Sequence, residues 1–427
     1  MTLHVGIDDT DSRKGMCTTY ILAMIIDKLK EKLNLQPIDF PKLVRLNPAC
    51  PYKTRGNAAV AIKLGGGEER LKEVKEIVKD VIIRFAELED PNTDPGAVFY
   101  IGETIPRELA DFSNKAVKEI VGLEEALNLA RKYNIEVLKF KKGRGIIGAL
   151  AAISNEFPYG VTYELIAYRT PEYRGKPREI DIESVFEMDF KTKGCTFDNL
   201  DPESGEIKIT PHTPCPVLFG IRALKPDCLE KALSIVKVKE PIERYLIFKT
   251  NQATDAHIVV TSLSEVKPFT NVAVRGKISS TPTIIKGGHV FVKMSDGKTE
   301  FRLAAYEPTK SFRNIIRSLI PGDEIIAYGS YKPREGEPPT INLEKIHILR
   351  LAEKYVIKNP ICPKCGKRMK SEGKNKGFQC PRCKYKAKDL ERIKEKLTRD
   401  ITEGMYEVPP RARRHLTKPI SHINRKT

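Results

Sequence analysis

Cys362-Pro363-Lys364-Cys365 is followed, fourteen residues later, by Cys380-Pro381-Arg382-Cys383. No other feature constrains the fold so tightly. Two Cys-x-x-Cys knuckles at this distance bring four thiolates into a tetrahedron around zinc, a closed structural site with no position left for water. Gly366, directly after the first knuckle, suits a tight turn around the metal. So small a unit has little core of its own, and the metal is what should fold it. The other cysteines of the nine, Cys17, Cys50, Cys195, Cys215 and Cys228, are scattered and odd in number. That distribution predicts a reduced compartment, not a disulfide framework.

The knuckles sit in a basic stretch. From Lys354 to Thr427 the chain has 22 Lys and Arg against 7 Asp and Glu, which accounts for most of the net charge of +18. A localised positive field suits a polyanion, because each neutralised phosphate releases condensed counterions. The other reading is a solvated, charge-rich surface. A membrane is the poorer match: no run approaches the roughly 18–20 apolar residues of a span. No amphipathic or lipidated segment is evident either. The opening MTLHVGIDDTD meets three acids before any signal-peptide pattern can form, which leads us to expect a cytoplasmic protein.

A chain of 427 residues predicts about three domains. Leu3–Ile7 reads as a strand ending in an acidic turn. Leu22, Ile25, Ile26, Leu29 and Leu33 then follow the i, i+3, i+4, i+7 pattern of a helix. Strands over Ala58–Leu64, Ala97–Ile101 and Val137–Phe140 alternate with helices over Glu68–Phe85, Arg107–Leu129 (one helix or two) and Ile146–Ile153, the pattern of an α/β or α+β layer. A second unit, with strands over Tyr163–Tyr168, Val217–Ala223 and Tyr245–Lys249 and two helices, suits a ferredoxin-like fold. From Asn271 the texture changes to five short strands with a helix, Ser311–Ile320, after the third. This is the order of an OB-fold β-barrel. Phe291, Phe301 and Tyr328 are its base-stacking candidates, although core roles suit each of them as well.

Three further motifs carry chemistry. Asp8, Asp9 and Asp11 crowd the end of the first strand, where carboxylates could hold magnesium on a triphosphate or could simply cap local amides. Gly15, Thr18 and Thr19 follow at the start of the next helix, where phosphate oxygens settle. Lys142-Gly143-Arg144-Gly145-Ile146-Ile147-Gly148 matches Gly-x-Gly-x-x-Gly, and its basic residues read as an anion-binding turn. Lys53, Arg55 and Asn57 belong to a polar, basic loop before a strand. None of His212, His257, His415 and His422 has the spacing of a catalytic metal or triad site.

These residues together resemble the archaeal isoleucine-tRNA 2-agmatinylcytidine synthetases over the full length of the chain. The likeness rests on GIDDTDSRKGMCTTY (Gly6–Tyr20), RLNPACPYKTRGNAA (Arg45–Ala59), NTDPG (Asn92–Gly96), GRGIIGALAAI (Gly143–Ile153), PHTPCPVLFGIR (Pro211–Arg222), TNQATDAHI (Thr250–Ile258), the cysteine knuckles and PPRARRHLTKPI (Pro409–Ile420). It implies a kinase-like catalytic domain over 1–157, a ferredoxin-like domain over 158–262, an OB-fold over 263–353, a zinc ribbon over 354–400 and a basic C-terminal tail over 401–427. It also implies an ATP-dependent ligase that phosphorylates the 2-keto oxygen of a wobble cytidine and displaces the phosphate with agmatine, changing codon reading from AUG to AUA. Asp8, Asp9 and Asp11 would then hold magnesium, and Thr18 matches an autophosphorylated threonine. Gly15, Thr19, Lys142, Gly143, Arg144 and Gly145 would surround ATP phosphates. Lys53, Arg55 and Asn57 would meet the nucleotide, Asp94 and Asp255 the cationic agmatine, and Arg411, Arg413, Arg414 and Lys418 the tRNA body. Two other readings use the same residues: a lysine-type conjugation to tRNA, or a non-catalytic RNA-binding protein built on the barrel and ribbon. No feature of the sequence bears on oligomeric state.

Overall fold

The computed structural model describes residues 1–423; the last four residues of the expected tail lie outside the described residues. The chain is a mixed α/β, multidomain protein with a β-barrel and a zinc-ribbon segment.

The N-terminal layer is built on β1 (Thr2–Asp8), which lies between its antiparallel neighbours β3 and β4. Around it follow α1 (Thr18–Leu33), β2 (Lys42–Arg45), β3 (Ala58–Gly65), α2 (Leu71–Phe85), β4 (Gly96–Ile101), α3 (Arg107–Lys118), α4 (Leu123–Lys132), β5 (Glu136–Lys139) and α5 (Gly145–Ser154). The stretch over Arg107–Leu129, expected as one or two helices, forms two, α3 and α4. Alternation along the strands sorts side chains to opposite faces. Leu3, Val5, Ile7, Ala97 and Phe99 face the core with α1 and α2, while Val98 and Tyr100 face α3, α4 and α5. Helix α5 packs very close to the sheet because glycines remove the intervening Cβ atoms. One built on Gly145 would lie 2.5 Å from the Asp8 carbonyl oxygen and from the Gly96 nitrogen.

The sheet does not stop there. Next come β6 (Thr162–Arg169), α6 (Ile182–Lys191), β7 (Thr196–Phe197), β8 (Val217–Ala223), α7 (Asp227–Ile235) and β9 (Ile242–Thr250). Strands β2 and β9 pair in parallel, so one nine-stranded sheet runs β5-β4-β1-β3-β2-β9-β6-β8-β7. The scattered-thiol expectation needs correcting here. Cys195 and Cys228 form a disulfide, with Cα atoms 6.1 Å apart, because the turn after α6 abuts the first turn of α7. A separation of 33 residues gives no local sign of that meeting.

The barrel follows β10 (Ile258–Val260). Its strands are β11 (Thr270–Ile278), β12 (Thr283–Ile284), β13 (Val290–Ser295), β14 (Glu300–Ala305), β15 (Glu324–Tyr331) and β16 (Thr340–Arg350), and α8 (Phe312–Arg317) lies between β14 and β15. Pairing of β11 with both β13 and β15 closes it. Phe301 belongs to the barrel core; Phe291 and Tyr328 are half-buried, under Arg302 and Lys345 respectively. A two-stranded stalk, β17 (Lys354–Lys358), leads into three short strands, β18 (Lys370–Ser371), β19 (Phe378–Gln379) and β20 (Lys386–Ala387), and returns along β21 (Ile393–Leu397). Arg399 pins the stalk to the barrel through Asp323, at 2.6 and 2.7 Å.

Residues beyond 400 are an integral part of this architecture. Strand β22 (Gly404–Glu407) adds to β16, a strap crosses back over the nine-stranded sheet, and the described chain closes with α9 (Ile420–Ile423).

Candidate active site

Strand β1 ends where the sheet is covered by α5 on one face and α1 on the other, and this end opens into a cleft of about 720 Å³. That volume falls in the range of small-molecule sites. Asp8, Asp9, Asp11, Thr18, Thr19, Lys53, Arg55, Asn57, Asp94, Lys142 and Arg144 all line it. The strap adds Arg411 and Arg413 to its wall.

Asp8 is half-buried beside α5. Burial first, and then the neighbouring Asp9 charge, push its carboxyl well above the ordinary range. The backbone of Asp9 is left-handed, with φ of 59°, which turns its carboxylate toward the amide of Asp94 at 3.1 Å and toward Arg144 at 3.3 Å. Burial still lifts it to about 6 against the pull of Arg144. Two adjacent carboxyls that resist ionisation fit a divalent cation, which would let both ionise.

Asp11 has a different occupation. It is held by the guanidinium of Arg55, with Nε at 2.7 Å, and by Thr54 at 3.1 Å. Arg55 also reaches Thr213 at 3.3 Å, so this arginine ties the acidic turn to the basic loop. Thr18 opens α1 and accepts a hydrogen bond from the hydroxyl of Thr10 at 3.0 Å, and Gly15 is buried behind it. Lys142 donates its backbone N–H to the Asp94 carboxylate at 3.3 Å. Gly143, with φ of +70°, and Gly145 lie behind the cleft wall, where they permit the turn and the close helix. Asn57 donates to the Asn47 carbonyl at 2.8 Å. Lys53 is half-buried, and desolvation together with the cations Lys332 and Arg414 lowers its ammonium to about 8.

Other residues named from the sequence lie elsewhere. Asp255 does not line the cleft. It sits in a left-handed turn after β9 and holds the Lys345 ammonium and the Lys418 amide. Arg414 is bound to Asn271, Ser330 and Glu344, and Arg413 is nearly buried between Asp198 and Glu407. Arg411 pairs with Glu206 at 2.7 Å. In the ribbon, the sulfurs of Cys362, Cys365, Cys380 and Cys383 lie within 4.8 Å of one another, a donor set that fits zinc.

Sequence reasoning missed a second polar cluster in the cleft. Glu164 on β6 accepts from Arg45 at 3.3 Å and from Gln252, and pairs with Arg222 at 3.5 Å. Asp198 pairs with Arg413 and Arg222, and His415 stands beside Arg222. These residues come from six separate segments, and no spacing joins them. No helix among the described residues is long and apolar enough to cross a membrane.

The chain is similar to known proteins along its whole length. The chain matches the TiaS TCKD domain over residues 4–77, the TiaS FLD domain over 143–257 and the TiaS C-terminal zinc ribbon domain over 359–401. It is 46% identical to the isoleucine-tRNA 2-agmatinylcytidine synthetase TiaS of Archaeoglobus fulgidus, over 99% of this chain and 98% of that protein. Among solved structures, a complex of TiaS with its isoleucine tRNA and ATP superposes with a TM-score of 0.90 at 45% identity, covering 100% of this chain and 98% of the other. A complex of TiaS with the same tRNA, AMPCPP and agmatine gives a TM-score of 0.88 at 43% identity, with the same coverage.

Proposed function

The chain belongs to the isoleucine-tRNA 2-agmatinylcytidine synthetase family, and from that premise we propose how its cleft carries out the family reaction. The protein is an enzyme that uses ATP to conjugate agmatine to an isoleucine tRNA, and its ribbon cysteines hold a structural zinc. We further propose that the target is the 2-position of the wobble cytidine, so that codon reading changes from AUG to AUA, and that the reaction takes place in the cytoplasm.

A ring carbonyl oxygen does not leave as it stands. Transfer of a phosphoryl group from ATP to the 2-keto oxygen makes it a phosphate. The primary amine of agmatine then attacks C2, the C2–O bond breaks with its electron pair going to the departing phosphate, and the nitrogen gives up a proton. Phosphoryl transfer needs positioning and charge neutralisation more than covalent help. Magnesium bound by Asp8 and Asp9 would supply part of that neutralisation. Arg144 lies against the same carboxylates, and Lys142 faces the cleft next to it. Thr18, at the start of α1 and hydrogen-bonded to Thr10 of the acidic turn, is our candidate phosphoryl acceptor.

An extruded pyrimidine costs little in an anticodon loop. Lys53, which lines the cleft with the cations Lys332, Arg414 and Arg45 around it, is our candidate for the flanking phosphates. Arg55 serves by fixing Asp11, and Asn57 by shaping the loop. Agmatine needs acids: Asp94 and Glu164 are in the cleft and Asp255 is not. Arg411, Arg414 and Lys418 are our remaining candidates for the tRNA body, along with the basic ribbon. We read residues 1–157 as the kinase-like unit, 158–262 as the ferredoxin-like unit, 263–353 as an OB-fold, 354–400 as the ribbon and 401–427 as the C-terminal segment.

The observation that carries this reading is the pair of adjacent carboxyls, Asp8 and Asp9, that line the cleft at the end of β1 with Arg144 3.3 Å from Asp9. The test is incorporation of labelled agmatine into purified isoleucine tRNA, with lysine as the competing amine. Agmatine incorporation that requires ATP is expected. Equal use of lysine, or incorporation without ATP, would contradict the reading.

A further inference from the structure

His415 reaches the cleft from the C-terminal strap, and the strap holds it firmly. Its carbonyl accepts from Ala253 at 2.8 Å, the next carbonyl, of Leu416, accepts from Asp255 at 2.8 Å, and Leu416 itself is buried in the α5 core. On the other side, Arg414 binds the barrel at Ser330 (2.7 Å), and Thr417 donates to Glu344 at 2.5 Å. The backbone around the imidazole is therefore fixed to both the sheet and the barrel.

The ring is fixed as well. Nδ1 of His415 lies 2.9 Å from Nη2 of Arg222 and 3.2 Å from Oε1 of Gln252. A guanidinium can only donate and keeps its proton, and it is the nearer of the two, so Nδ1 is the acceptor and the ring hydrogen sits on Nε2. Burial, with Arg45, Arg222 and Lys53 around it, keeps the imidazole neutral by holding its pKa well below the usual value. Nε2 faces Gly56 in the exposed part of the basic loop. A Cβ built on that glycine would lie 3.9 Å from Nε2 and 2.9 Å from Nη1 of Arg45. Nε2–H and two cationic side chains, Arg45 and Lys53, thus converge on one part of the cleft that the bare Gly56 leaves open.

We propose that His415 is a substrate-contacting residue: its Nε2–H donates a hydrogen bond to an acceptor atom of the tRNA nucleotide held in the cleft, and Arg222 sets the tautomer. The proposal rests on the cleft being the tRNA site. A neutral donor recognises an acceptor by direction and not by charge, so it orients what the neighbouring cations attract. A pyrimidine O2 or N3 and a phosphate oxygen offer the same acceptor chemistry.

Two conservative substitutions separate contact from scaffolding. His415→Gln places an amide N–H near the Nε2 position, whereas His415→Asn keeps an oxygen near Nδ1 for Arg222 and loses the donor. With full-length protein, kcat/KM for isoleucine tRNA and tRNA affinity are measured, and ATP binding and Tm verify that each variant is folded. His415→Gln is expected within about threefold of wild type and His415→Asn lower by roughly tenfold, the range of one lost hydrogen bond. His415→Asn matching or exceeding His415→Gln, at whatever level, overturns the proposal. Repeating the binding with tRNA abasic at the wobble position locates the acceptor: the difference vanishes if it is on the base and persists if it is on the backbone. Should wild type fail to couple agmatine, the proposed function fails, while tRNA binding by the same proteins still decides the contact.

Discussion

The carboxylate of Asp8 rests over the bare α-carbon of Gly148 on helix α5, in space that a Cβ at that position would occupy. The third glycine of the Gly-x-Gly-x-x-Gly stretch is therefore what makes room for the side chain at the floor of the cleft. Gly148→Ala should fold, because the far end of a carboxylate can move aside. Its agmatine incorporation should fall by roughly a hundredfold, since a displacement of about 1 Å costs that much in a positioned site. Gly6→Ala is the control: there the new Cβ meets the backbone oxygen of Ala149, and loss of the fold is expected. Melting temperature and incorporation measured together check both.

Asp9 should cost stability for the sake of the site. Its carboxyl titrates near 6 in the folded chain and at an ordinary 3.8 when unfolded. The folded state thus binds the proton more tightly, and the stability this provides is full below 3.8 and lost as pH rises through 6. At neutral pH the penalty is on the order of 3 kcal/mol. Asp9→Asn should raise Tm at about pH 7.5 without magnesium, give no gain at about pH 3.5 to 4, and abolish incorporation. Denaturation at the two pH values, in the absence of nucleotide, measures this.

Lys53 predicts a pH limit on tRNA binding. As pH rises through about 8 the ammonium loses its proton, so affinity for tRNA should fall between about pH 7 and 9 at constant salt. In Lys53→Met the fall should be smaller, and the salt slope should drop by roughly one. Filter binding across pH and salt tests both.

Removing zinc should unfold only the ribbon. Its core is Met369 and Phe378 packed with Cys362 and Cys380, too little to stand without the metal. The stalk base, held by Asp323 and Arg399, and the barrel should persist. A chelator, or Cys380→Ser, should weaken tRNA binding while leaving ATP binding unchanged, as measured by titration of each ligand.

Local physics explains what could be read from the sequence. The cysteine knuckles are legible because a metal site needs ligands at short, fixed spacing. The run from Leu3 to Asp11 is legible because an apolar strand stops abruptly at charge. The barrel strands are legible as short apolar runs bounded by turn residues, although β11 and β16 are buried along much of their length. By contrast, β2 is a short strand that completes the sheet by pairing with β9, far along the chain. Glu164, Arg222 and His415 meet only because that long pairing brings β6 and β8 beside the acidic turn. Asp255 illustrates the opposite failure: a carboxylate in a polar, resemblance-bearing stretch is used to staple Lys345 and the strap outside the cleft. Among the glycines of the 143–148 turn, Gly145 and Gly148 follow a pattern that reads as phosphate-binding, and the close packing of α5 on β1 and β4 uses both of them.

The most direct measurement is ATP-dependent incorporation of agmatine into isoleucine tRNA by wild type and Asp8→Ala, with zinc content and tRNA affinity matched. If Asp8 and Asp9 together anchor the metal-bound triphosphate, the variant should lose incorporation by roughly a thousandfold while binding tRNA normally. Incorporation within about tenfold of wild type would contradict it.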